Sequence, residues 1–437
     1  MNRNQVYAES LARLIQKETI TVGDNGDKTK FYQFHDLLRK EFPTVFEKCI
    51  YENFNGSFLL RYKTDSDLEP VIFMNHHDVV EAPGKWEHEP FSGDIADGKV
   101  WGRGTLDTKG GLWASLQAFE ELLKENTTFN RDIYFESACT EESTGSGCDM
   151  IADELKKRGV HFYMSIDEGG MILYEPIGGA KGTYAMVGVG EKGSSNLKFI
   201  AKSKGGHAST PCKDTPLVRL GKFMADVDKN DPFKIEMNDV IKEMFRKLAP
   251  SMSGYMKFVL SKPKLFGPIL KKVMPAISPA ANALLRTTAA FTVCHGSDAH
   301  NVLPQEAYVL CNVRYSHHQP QEESYSLLRN IAKKYDVEME IIEDGIPSPL
   351  SSYDSPQFKL IEEAVSATYE NTETCPYIMN QCSDSRFIAK VCDDCIRFAP
   401  FLITSQQMST IHGLNENIDI DTLDKAVDFY KYVMTHI

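Results

Sequence analysis

VIFMNHHD, residues 71–78, has the pattern of a buried strand that ends in polar side chains. The same pattern, apolar residues followed by His, Asp or Glu, recurs in DIYFESACTEE at 132–142 and in HFYMSIDEGG at 161–170. Between the first two stretches lies GLWASLQAFEELLKE at 111–125, in which the leucine and phenylalanine spacing is that of a core-facing helix. Strands that alternate with helices predict an α/β domain, in which ligands bind at the carboxyl ends of the strands.

The pattern changes after Gly193. From there the predicted elements follow the order β-α-β-β-α-β, which indicates an inserted ferredoxin-like α+β domain at 193–345. The first domain is then discontinuous and consists of 1–192 and 346–437. Within the insert, 234–286 predicts a helical insertion with ten basic and three acidic residues. Its interleaved apolar residues are typical of a solvated face over a small core, or of a surface for membranes or acyl chains.

Composition excludes several classes of function for these 437 residues. The 48 basic and 61 acidic residues give a net charge of -13, which argues against a nucleic-acid partner. No run of about 18 apolar residues is present, so we expect no integral membrane segment. The first 20 residues predict an amphipathic surface helix rather than an export signal, and this indicates a cytoplasmic location with reduced cysteines. Cys392 and Cys395 are therefore expected to be buried free thiols.

Three glycines, Gly188, Gly190 and Gly193, match the spacing of a dinucleotide-binding loop. Such a loop leads into a helix, but the residues at 197–204 alternate like a strand. We therefore predict that these glycines form the crossing into the insert, and that the chain is not an oxidoreductase.

His76 and Asp78 end the first strand two residues apart, so they point to the same face while His77 points away. A metal-ligating imidazole commonly donates its second N–H to a carboxylate. The pair fits a metal ligand with its supporting carboxylate, although polar residues also occur at strand ends without a metal.

Further side chains of metal-binding type lie at predicted strand ends or in loops: Asp107 of GRGTLDTKGG, Glu142, Asp167 and His412 of IHGLNE. Asp107 alone is equally explained as a helix cap. Adjacent glutamates, Glu141 and Glu142, are unusual at a strand end unless cations offset their repulsion. Together with His76 these residues give two nitrogen and three carboxylate ligands, enough for two zinc ions if Asp107 bridges them. Glu141 is then free to act as a general base.

The chain resembles the co-catalytic zinc peptidases that include carboxypeptidase S, aminoacylase-1 and the secreted N-fatty-acyl-amino-acid hydrolases. The resemblance covers nearly the whole chain. It is carried by NHHDVV, WEHEPFSGDI, GRGTLDTKGG, CTEESTGSG, SIDEGG, GGHASTP, NVLPQEA, CNVR, SDSRF and IHGLNE. It implies a zinc-peptidase-like catalytic domain, with a mixed sheet flanked by helices, and makes the ferredoxin-like insert a lid and dimerisation domain.

The resemblance also implies the metal site. Two Zn²⁺ ions per chain, for which Co²⁺ or Mn²⁺ can substitute, are bound with Asp107 as the bridge, Asp78 as the support of His76 and Glu141 as the general base. The peptide bond that follows the bridging aspartate is usually cis in the family. The implied ligands are His76, Asp107, Glu142, Asp167 and His412.

In the lid, the resemblance makes His207 a stabiliser of the tetrahedral oxyanion, donated across the interface in dimeric members. Asn301 and Arg314 resemble the residues that hold the carboxylate end of the substrate, a task that suits a guanidinium. We therefore expect a homodimer that pairs through its lid domains.

The implied function is that of a zinc-dependent metallopeptidase that cleaves an amide bond next to a free carboxylate, as a carboxypeptidase or dipeptidase. An alternative is an N-acyl-amino-acid amidohydrolase of the aminoacylase type, acting reversibly. A more distant alternative is a non-catalytic binding protein on the same fold, but such a protein is expected to lack Glu141 or a ligand, and all of them are present.

Overall fold

The computed structural model describes residues 2–277, 279–346 and 348–437. Up to Glu191 the elements are α1 (Arg3–Ile15), α2 (Thr29–Glu41), α3 (Pro43–Lys48), β1 (Ile50–Phe54), β2 (Ser57–Tyr62), β3 (Val71–Met74), β4 (Ile95–Ala96), β5 (Lys99–Trp101), α4 (Lys109–Lys124), β6 (Ile133–Ser137), α5 (Ser146–Lys157), β7 (Met164–Tyr174) and β8 (Thr183–Glu191).

The middle of the chain contains β9 (Gly193–Lys202), β10 (Gly206–His207), α6 (Pro216–Lys229), α7 (Asp239–Leu248), α8 (Gly254–Leu260), α9 (Pro263–Ile277), α10 (Pro279–Leu285), β11 (Thr288–His295), β12 (Val302–Leu303), β13 (Glu306–Tyr315), α11 (Gln321–Lys334) and β14 (Glu338–Glu343). The last part contains α12 (Pro356–Thr368), β15 (Thr372–Met379), α13 (Ser385–Ile388), β16 (Cys395–Ile403), α14 (Ser405–Met408), β17 (Asn417–Asp419) and α15 (Leu423–His436).

Eight strands form one large mixed sheet in the order β1-β2-β6-β3-β7-β16-β8-β15. Strand β3 pairs in parallel with both β6 and β7. Strand β2 pairs antiparallel with β1 on one side and with β6 on the other. Because β3, β6 and β7 are parallel, their carboxyl ends meet at one edge of the sheet. The predicted α/β class with a mixed sheet is confirmed, and this edge carries the polar residues singled out in the sequence.

Each face of the large sheet has its own core. In β3, Val71 and Phe73 belong to the larger core, whereas Ile72 and Met74 belong to the smaller one. Helix α4 packs on the larger core, and α5 contributes Ile151 to the smaller one. Helices therefore flank the sheet on both sides. This explains why β3 is apolar and buried along its whole length.

A second sheet of four antiparallel strands has the order β11-β13-β9-β14. Helices α6 and α11 cover one face of it around Phe199, Phe223 and Tyr325. This is the β-α-β-β-α-β arrangement predicted for the insert. Gly188 and Gly190 lie within β8 and only Gly193, which begins β9, stands at the crossing between the two sheets, so the glycines are followed by a strand and not by a helix.

The helical insertion differs from the sequence prediction, which placed it in the lid. Val240, Met244 and Phe245 of α7 belong to the larger core of the large sheet, where α7 packs on the edge strand β15. Lys247 adds ion pairs with Glu362 of α12 and Glu373 of β15. An amphipathic pattern predicts a buried face but not its partner, and here the partner is an edge strand that α7 covers.

The other sequence predictions concern the N-terminal segment and the cysteines. Leu11, Leu14 and Ile15 of α1 are fully buried, so this helix is amphipathic as predicted. Cys392 and Cys395 are buried free thiols. None of the helices in the described residues is long and apolar enough to cross a membrane.

Candidate metal centre and active site

His76 lies directly after β3 and is 2% exposed. Its Nδ1 is 2.9 Å from the backbone carbonyl oxygen of Asp78, and its Nε2 is 2.9 Å from Oδ1 of Asp107. A carbonyl oxygen only accepts hydrogen bonds, so Nδ1 donates and the neutral ring presents the lone pair of Nε2. That lone pair faces the carboxylates at the sheet edge, as a metal ligand requires. His77 points away and contacts Ser137 and the carbonyl of Gly56.

Asp78 is fully buried and connects two segments of the site. One oxygen is 3.5 Å from Nδ1 of His76, while the two oxygens accept the backbone N–H groups of Glu141 and Glu142, each at 3.2 Å. The carboxylate therefore lies beside the imidazole and also fixes the backbone of the two glutamates that follow β6.

Asp107 lies between the two histidines in the loop before α4. Its Oδ1 faces Nε2 of His76 at 2.9 Å, and its Oδ2 faces Nε2 of His412 at 3.0 Å. The peptide bond from Asp107 to Thr108 is cis, as the resemblance implied. One carboxylate oxygen towards each imidazole is the arrangement of a bridging ligand between two ions.

The loop that carries Asp107 is held by Glu416, which is fully buried. Its Oε1 accepts the backbone N–H groups of Gly104, Leu106 and Asp107 at 3.1, 2.8 and 3.2 Å. Its Oε2 accepts a hydrogen bond of 2.6 Å from Nη1 of Arg103. Sequence reasoning assigned Glu416 no role, although it stands in the quoted IHGLNE motif.

His412 reaches the cluster from the loop between α14 and β17. Its backbone is left-handed with φ 58°, and Asn415 has φ 60° in the same loop. The Nε2 atom is 3.0 Å from Oε2 of Glu142 and, as stated, 3.0 Å from Asp107. The side chain is about half exposed, so one side of the cluster is open to solvent.

The structure does not bring Asp167 to the cluster. Strand β7 continues beyond it to Tyr174, so Asp167 does not end a strand as expected, and its Oδ2 accepts hydrogen bonds from the N–H and hydroxyl of Ser385 at 2.7 and 2.9 Å. The next residue, Glu168, points to the opposite face, where its Oε2 is 3.7 Å from Nε2 of His76. Glu168 therefore takes the position that the sequence assigned to Asp167.

At this edge of the sheet, potential ligand atoms form two groups that share His76. In one group they come from His76, Asp107 and Glu142, and in the other from His76, Glu141 and Glu168, with all atoms of a group within 4.8 Å of one another. In the described parts of the chain, the ion-pair partners of Asp107, Glu142 and Glu168 within 4.0 Å are histidines and not lysines or arginines. The donor set, imidazole nitrogens and carboxylates without a bound side-chain cation, fits divalent metal ions.

The charges of the cluster lead to the same conclusion. Burial raises the pKa of Glu141 to about 8, with His76 opposing the increase and Glu142 adding to it. Hydrogen bonds with Asp107 and Glu142 raise the pKa of His412 to about 10. These shifts reflect carboxylates crowded at a buried edge, where a bound cation favours their charged form.

Two of the three predicted lid residues lie together. His207 in β10 is paired with Val302 of β12, and the carbonyl of Asn301 accepts the N–H of Ala208 at 2.9 Å. The backbone N–H of Ser209 donates to Nδ1 of His207 at 3.1 Å. Nδ1 is therefore an acceptor, and the neutral ring carries its proton on Nε2, which is available as a hydrogen-bond donor.

Arg314 is at the other end of the lid sheet. Strand β13 pairs Glu306 with Lys202, next to the His207 segment, and Arg314 with Ser194. Eight residues of strand separate the two ends, about 27 Å at 3.4 Å per residue. The expectation that Asn301 and Arg314 hold the same group is therefore not met within one chain. Arg314 instead reaches the catalytic domain, where its Nη1 is 3.2 Å from Sγ of Cys382.

Arg386 is a further residue that sequence reasoning did not assign. It lies in α13, donates to the carbonyl of Ser383 at 3.0 Å, and its positive charge acts on Glu141. Burial alone would lower the pKa of the Arg386 guanidinium, but the negative charges of Asp384 and Glu141 raise it above its usual value. The sequence signal that could have identified Arg386 is its place in the quoted SDSRF motif.

Comparison with known sequences decides the family. Residues 72–436 match the sequence profile of Peptidase family M20/M25/M40. The chain belongs to the M20 peptidase family. M20 membership makes it a metallopeptidase-type hydrolase of amide bonds, in accord with the site geometry.

Relatives and solved structures agree with the M20 assignment. The human "N-fatty-acyl-amino acid synthase/hydrolase PM20D1" is 31% identical over 431 residues, which cover 96% of this chain and 86% of the relative. "Probable carboxypeptidase S-like 2" of Dictyostelium discoideum is 29% identical, with coverage of 98% and 84%. Among structures, the M20 family metallo-carboxypeptidase Sso-CP2 of Sulfolobus solfataricus has a TM-score of 0.73 at 18% identity, with coverage of 100% and 99%. The dinuclear metal binding peptidase YXEP of Bacillus subtilis has a TM-score of 0.61 at 11% identity, with coverage of 99% and 98%.

Proposed function

We propose that this M20 protein is a two-metal hydrolase that cleaves an amide bond beside a free carboxylate, as a carboxypeptidase or dipeptidase. The observation that carries the proposal is the position of Asp107, with one oxygen towards His76 and the other towards His412. Glu141 lies in the same cluster without an ion-pair partner of its own among the described residues, which suits a proton-transfer group.

The proposed ligands divide between two zinc ions, for which Co²⁺ or Mn²⁺ can substitute. His76 and Glu168 would hold one ion, Glu142 and His412 would hold the other, and Asp107, which faces both histidines, would contribute to both. Glu168 replaces Asp167 in this set because its carboxylate, and not that of Asp167, faces His76. Divalent ions held there supply Lewis acidity, which lowers the pKa of a water molecule and polarises the scissile carbonyl.

Glu141 performs the proton transfers in this proposal. As a carboxylate it accepts the proton of the attacking water, and as an acid it then delivers that proton to the leaving amine nitrogen. Asp78 keeps Glu141 in place, since its Oδ1 accepts the Glu141 backbone N–H at 3.2 Å.

His207 is proposed to donate a hydrogen bond from its Nε2–H to the negative charge that develops on the carbonyl oxygen. Its hydrogen-bond partner Ser209 lies in the lid, and none of the metal-binding groups in the described residues includes His207. A homodimer that pairs through the lid domains supplies His207, together with the neighbouring Asn301, from the second chain to the first chain's site. Arg314 remains with its own chain, at the junction with Cys382.

Arg314 is proposed to bind the free carboxylate of the substrate. Its guanidinium provides paired donors for a carboxylate, and its Nε already donates to Oδ1 of Asn312 at 3.0 Å, which fixes the plane of the group. N-acyl amino acids are the second candidate substrate class, because they present the same amide beside a carboxylate. The identity with the human N-fatty-acyl-amino acid hydrolase favours this candidate.

A hydrolysis screen tests the proposal and ranks the two classes. Purified protein, stripped of metal and refilled with Zn²⁺, is given dipeptides, N-acetyl amino acids and long-chain N-acyl amino acids, each also as the carboxyl amide. Turnover of the free acids but not of the amides supports the proposal. Arg314→Lys should raise KM for the free acids, whereas Arg329→Lys on α11 serves as the matched control. Ligand binding without turnover in every class contradicts the proposal. The cytoplasmic location stays a prediction, to be tested by cell fractionation.

A further inference from the structure

Helix α9 exposes apolar side chains on the face that points away from the protein. Leu265, Ile269, Val273 and Ile277 are 68%, 58%, 47% and 69% exposed. Residues four apart lie almost above one another on a helix, so these four form one line about 18 Å long. The neighbouring helix α8 extends the line sideways. We call the whole set the α8–α9 patch: Tyr255, Phe258, Leu265, Ile269, Val273 and Ile277.

Packing within the chain does not require this patch. The opposite side of α9 already packs within the chain, against α7, since Gly267 and Leu270 are buried there and Leu270 belongs to the larger core. A helix that is apolar on both its inner and its outer side is expected to pack against a second apolar surface. Single exposed apolar residues are ordinary, but six of them within 23 residues mark an interaction surface.

Four lysines surround the α8–α9 patch without acidic partners. Lys257, Lys262, Lys264 and Lys272 are exposed, and none of them forms an ion pair with an acidic side chain in the described residues. Lys262 instead places its Nζ 4.5 Å from the centre of the Phe258 ring. Lys264 and Lys272 each stand one residue before a member of the aliphatic line.

The positive charge is local. No aspartate or glutamate occurs between Glu243 and Asp298, although the chain as a whole carries a net charge of -13. Lysines at the border of an apolar helix face extend their ammonium groups to the level of lipid phosphates while the apolar side chains enter the acyl region. Anionic headgroups complement these charges, whereas a second copy that docked through its own α8–α9 patch would bring its lysines against them.

We propose that the α8–α9 patch is a peripheral docking surface for bilayers that contain anionic phospholipids. The aliphatic line enters the interface between headgroups and acyl chains, and the four lysines bind the lipid phosphates and carboxylates. The patch belongs to the catalytic domain, since α9 packs against α7 and α7 packs on β15 of the large sheet. It is separate from the proposed active site, so the inference stands whether or not the proposed reaction is correct.

Vesicle co-sedimentation of the full chain tests this inference. The vesicles are phosphatidylcholine with and without phosphatidylserine, at low and high salt. We expect partition only into the vesicles with phosphatidylserine, weakened by salt. Lys264→Gln with Lys272→Gln should reduce the partition coefficient about 25-fold, since each lysine at an anionic surface contributes about fivefold. Leu265→Gln with Ile269→Gln and Val273→Gln should reduce it by roughly tenfold or more.

Matched controls change equally exposed residues elsewhere. Leu68→Gln with Tyr174→Gln controls for lost apolar surface, and Lys156→Gln with Lys157→Gln controls for lost charge; neither should change the partition. All substituted side chains are exposed, so near-wild-type unfolding temperatures are expected.

Three results would overturn the docking surface. Equal binding to pure phosphatidylcholine rejects the role of the lysines, and equal losses in the control variants reject the patch. A dimer mass that the aliphatic-line variant abolishes, without any vesicle binding by the wild type, assigns the surface to a second copy instead.

Discussion

Asp78 shows how much of the site depends on one buried carboxylate. Its oxygens contact the His76 ring and the backbone N–H groups of Glu141 and Glu142. A proposed metal ligand, a proposed base and a second proposed ligand are thus positioned by the same side chain. Its role is larger than the support of His76 that the sequence indicated, because the path of the chain after β6 was not evident from the sequence.

Asp78→Asn should weaken both metal binding and turnover. An asparagine offers one acceptor oxygen where the two N–H groups now use two, and its amide group supports the imidazole less well than a carboxylate. We expect a loss of metal affinity of roughly 10- to 100-fold, measured by competition with a chelator. Asp94→Asn, an exposed aspartate that pairs with His88, is the control. Unchanged affinity in Asp78→Asn would contradict the positioning role.

Glu141→Gln should leave folding and metal content near normal while lowering kcat by orders of magnitude. The reason is that a proton carrier is removed but no proposed ligand is. Turnover and metal content are measured on the same preparation. Retention of most activity would falsify the assignment of Glu141 as the base.

Glu168 and Asp167 allow a direct test of the corrected ligand set. Glu168→Gln should lower metal occupancy, because its carboxylate faces His76. Asp167→Asn should keep the metal but lower the free energy of unfolding by about 1–3 kcal/mol, since its oxygen accepts two hydrogen bonds from buried Ser385. Metal analysis and urea unfolding separate the two effects. Loss of metal in Asp167→Asn, with metal retained in Glu168→Gln, would restore Asp167 as the ligand.

The replacement of Asp167 by Glu168 as the proposed ligand shows what the sequence cannot predict about a single residue. Alternation placed His76 and Asp78 correctly because β3 ends just before them. In β7 the strand continues, and the register with β16 shifts between Asp167 and Gly170. Which of two adjacent acidic residues faces the site is therefore set by pairing with a strand far downstream.

At the scale of elements, the loop before α4 is held from outside by Glu416. Three backbone N–H contacts and the bond from Arg103 make this carboxylate the anchor of a loop with little regular structure of its own. The same short segment carries His412, so one loop both supplies a proposed ligand and positions the bridging residue Asp107.

Glu416→Gln should destabilise the protein by about 3–5 kcal/mol, because it leaves the buried Arg103 without its counter-charge. Metal affinity should fall as well, since Asp107 loses its support. Asp419→Asn is the control at an exposed pair with Lys99, where about 0–1 kcal/mol is expected. Urea unfolding with and without Zn²⁺ measures both, and equal small losses in the two variants would argue against the anchor.

The helical insertion marks the corresponding limit for elements. The existence of amphipathic helices in 234–286 followed from the spacing of apolar residues. Their attachment to β15 rather than to the lid did not, because an apolar stripe fits any apolar partner. For the outward stripe of α9, the sequence left two interpretations of a basic, apolar segment open: a solvated face, or a surface for membranes or acyl chains.

At the scale of the whole molecule, the two ends of the lid sheet have different tasks in the proposed dimer. His207 and Asn301 lie at one end and Arg314 at the other, joined by β13. The order of elements and the insert were predictable from the chain, since each segment has its own periodicity. The distance between Asn301 and Arg314 followed only from strand pairing.

Mixing two inactive variants tests donation across the dimer. His207→Ala should lower kcat roughly 100- to 1,000-fold with unchanged metal content, as for a lost oxyanion donor. A mixture of His207→Ala and Glu141→Gln proteins should regain activity, because one of the two sites in a mixed dimer then holds both intact side chains. A monomeric mass at full activity, or no recovery after verified exchange of subunits, would reject donation across the dimer.

The place of β16 in the large sheet has a consequence for the time course of synthesis. This strand lies between β7 and β8, yet it follows the last strand of the lid sheet by roughly sixty residues. All four strands of the lid sheet are synthesised before β16, so the lid can fold on the ribosome while β7 still lacks this neighbour. At about 5–20 residues per second, that interval lasts about 3–12 s. During it the nascent chain exposes an unpaired strand edge, which makes chaperone dependence of expression a property to measure.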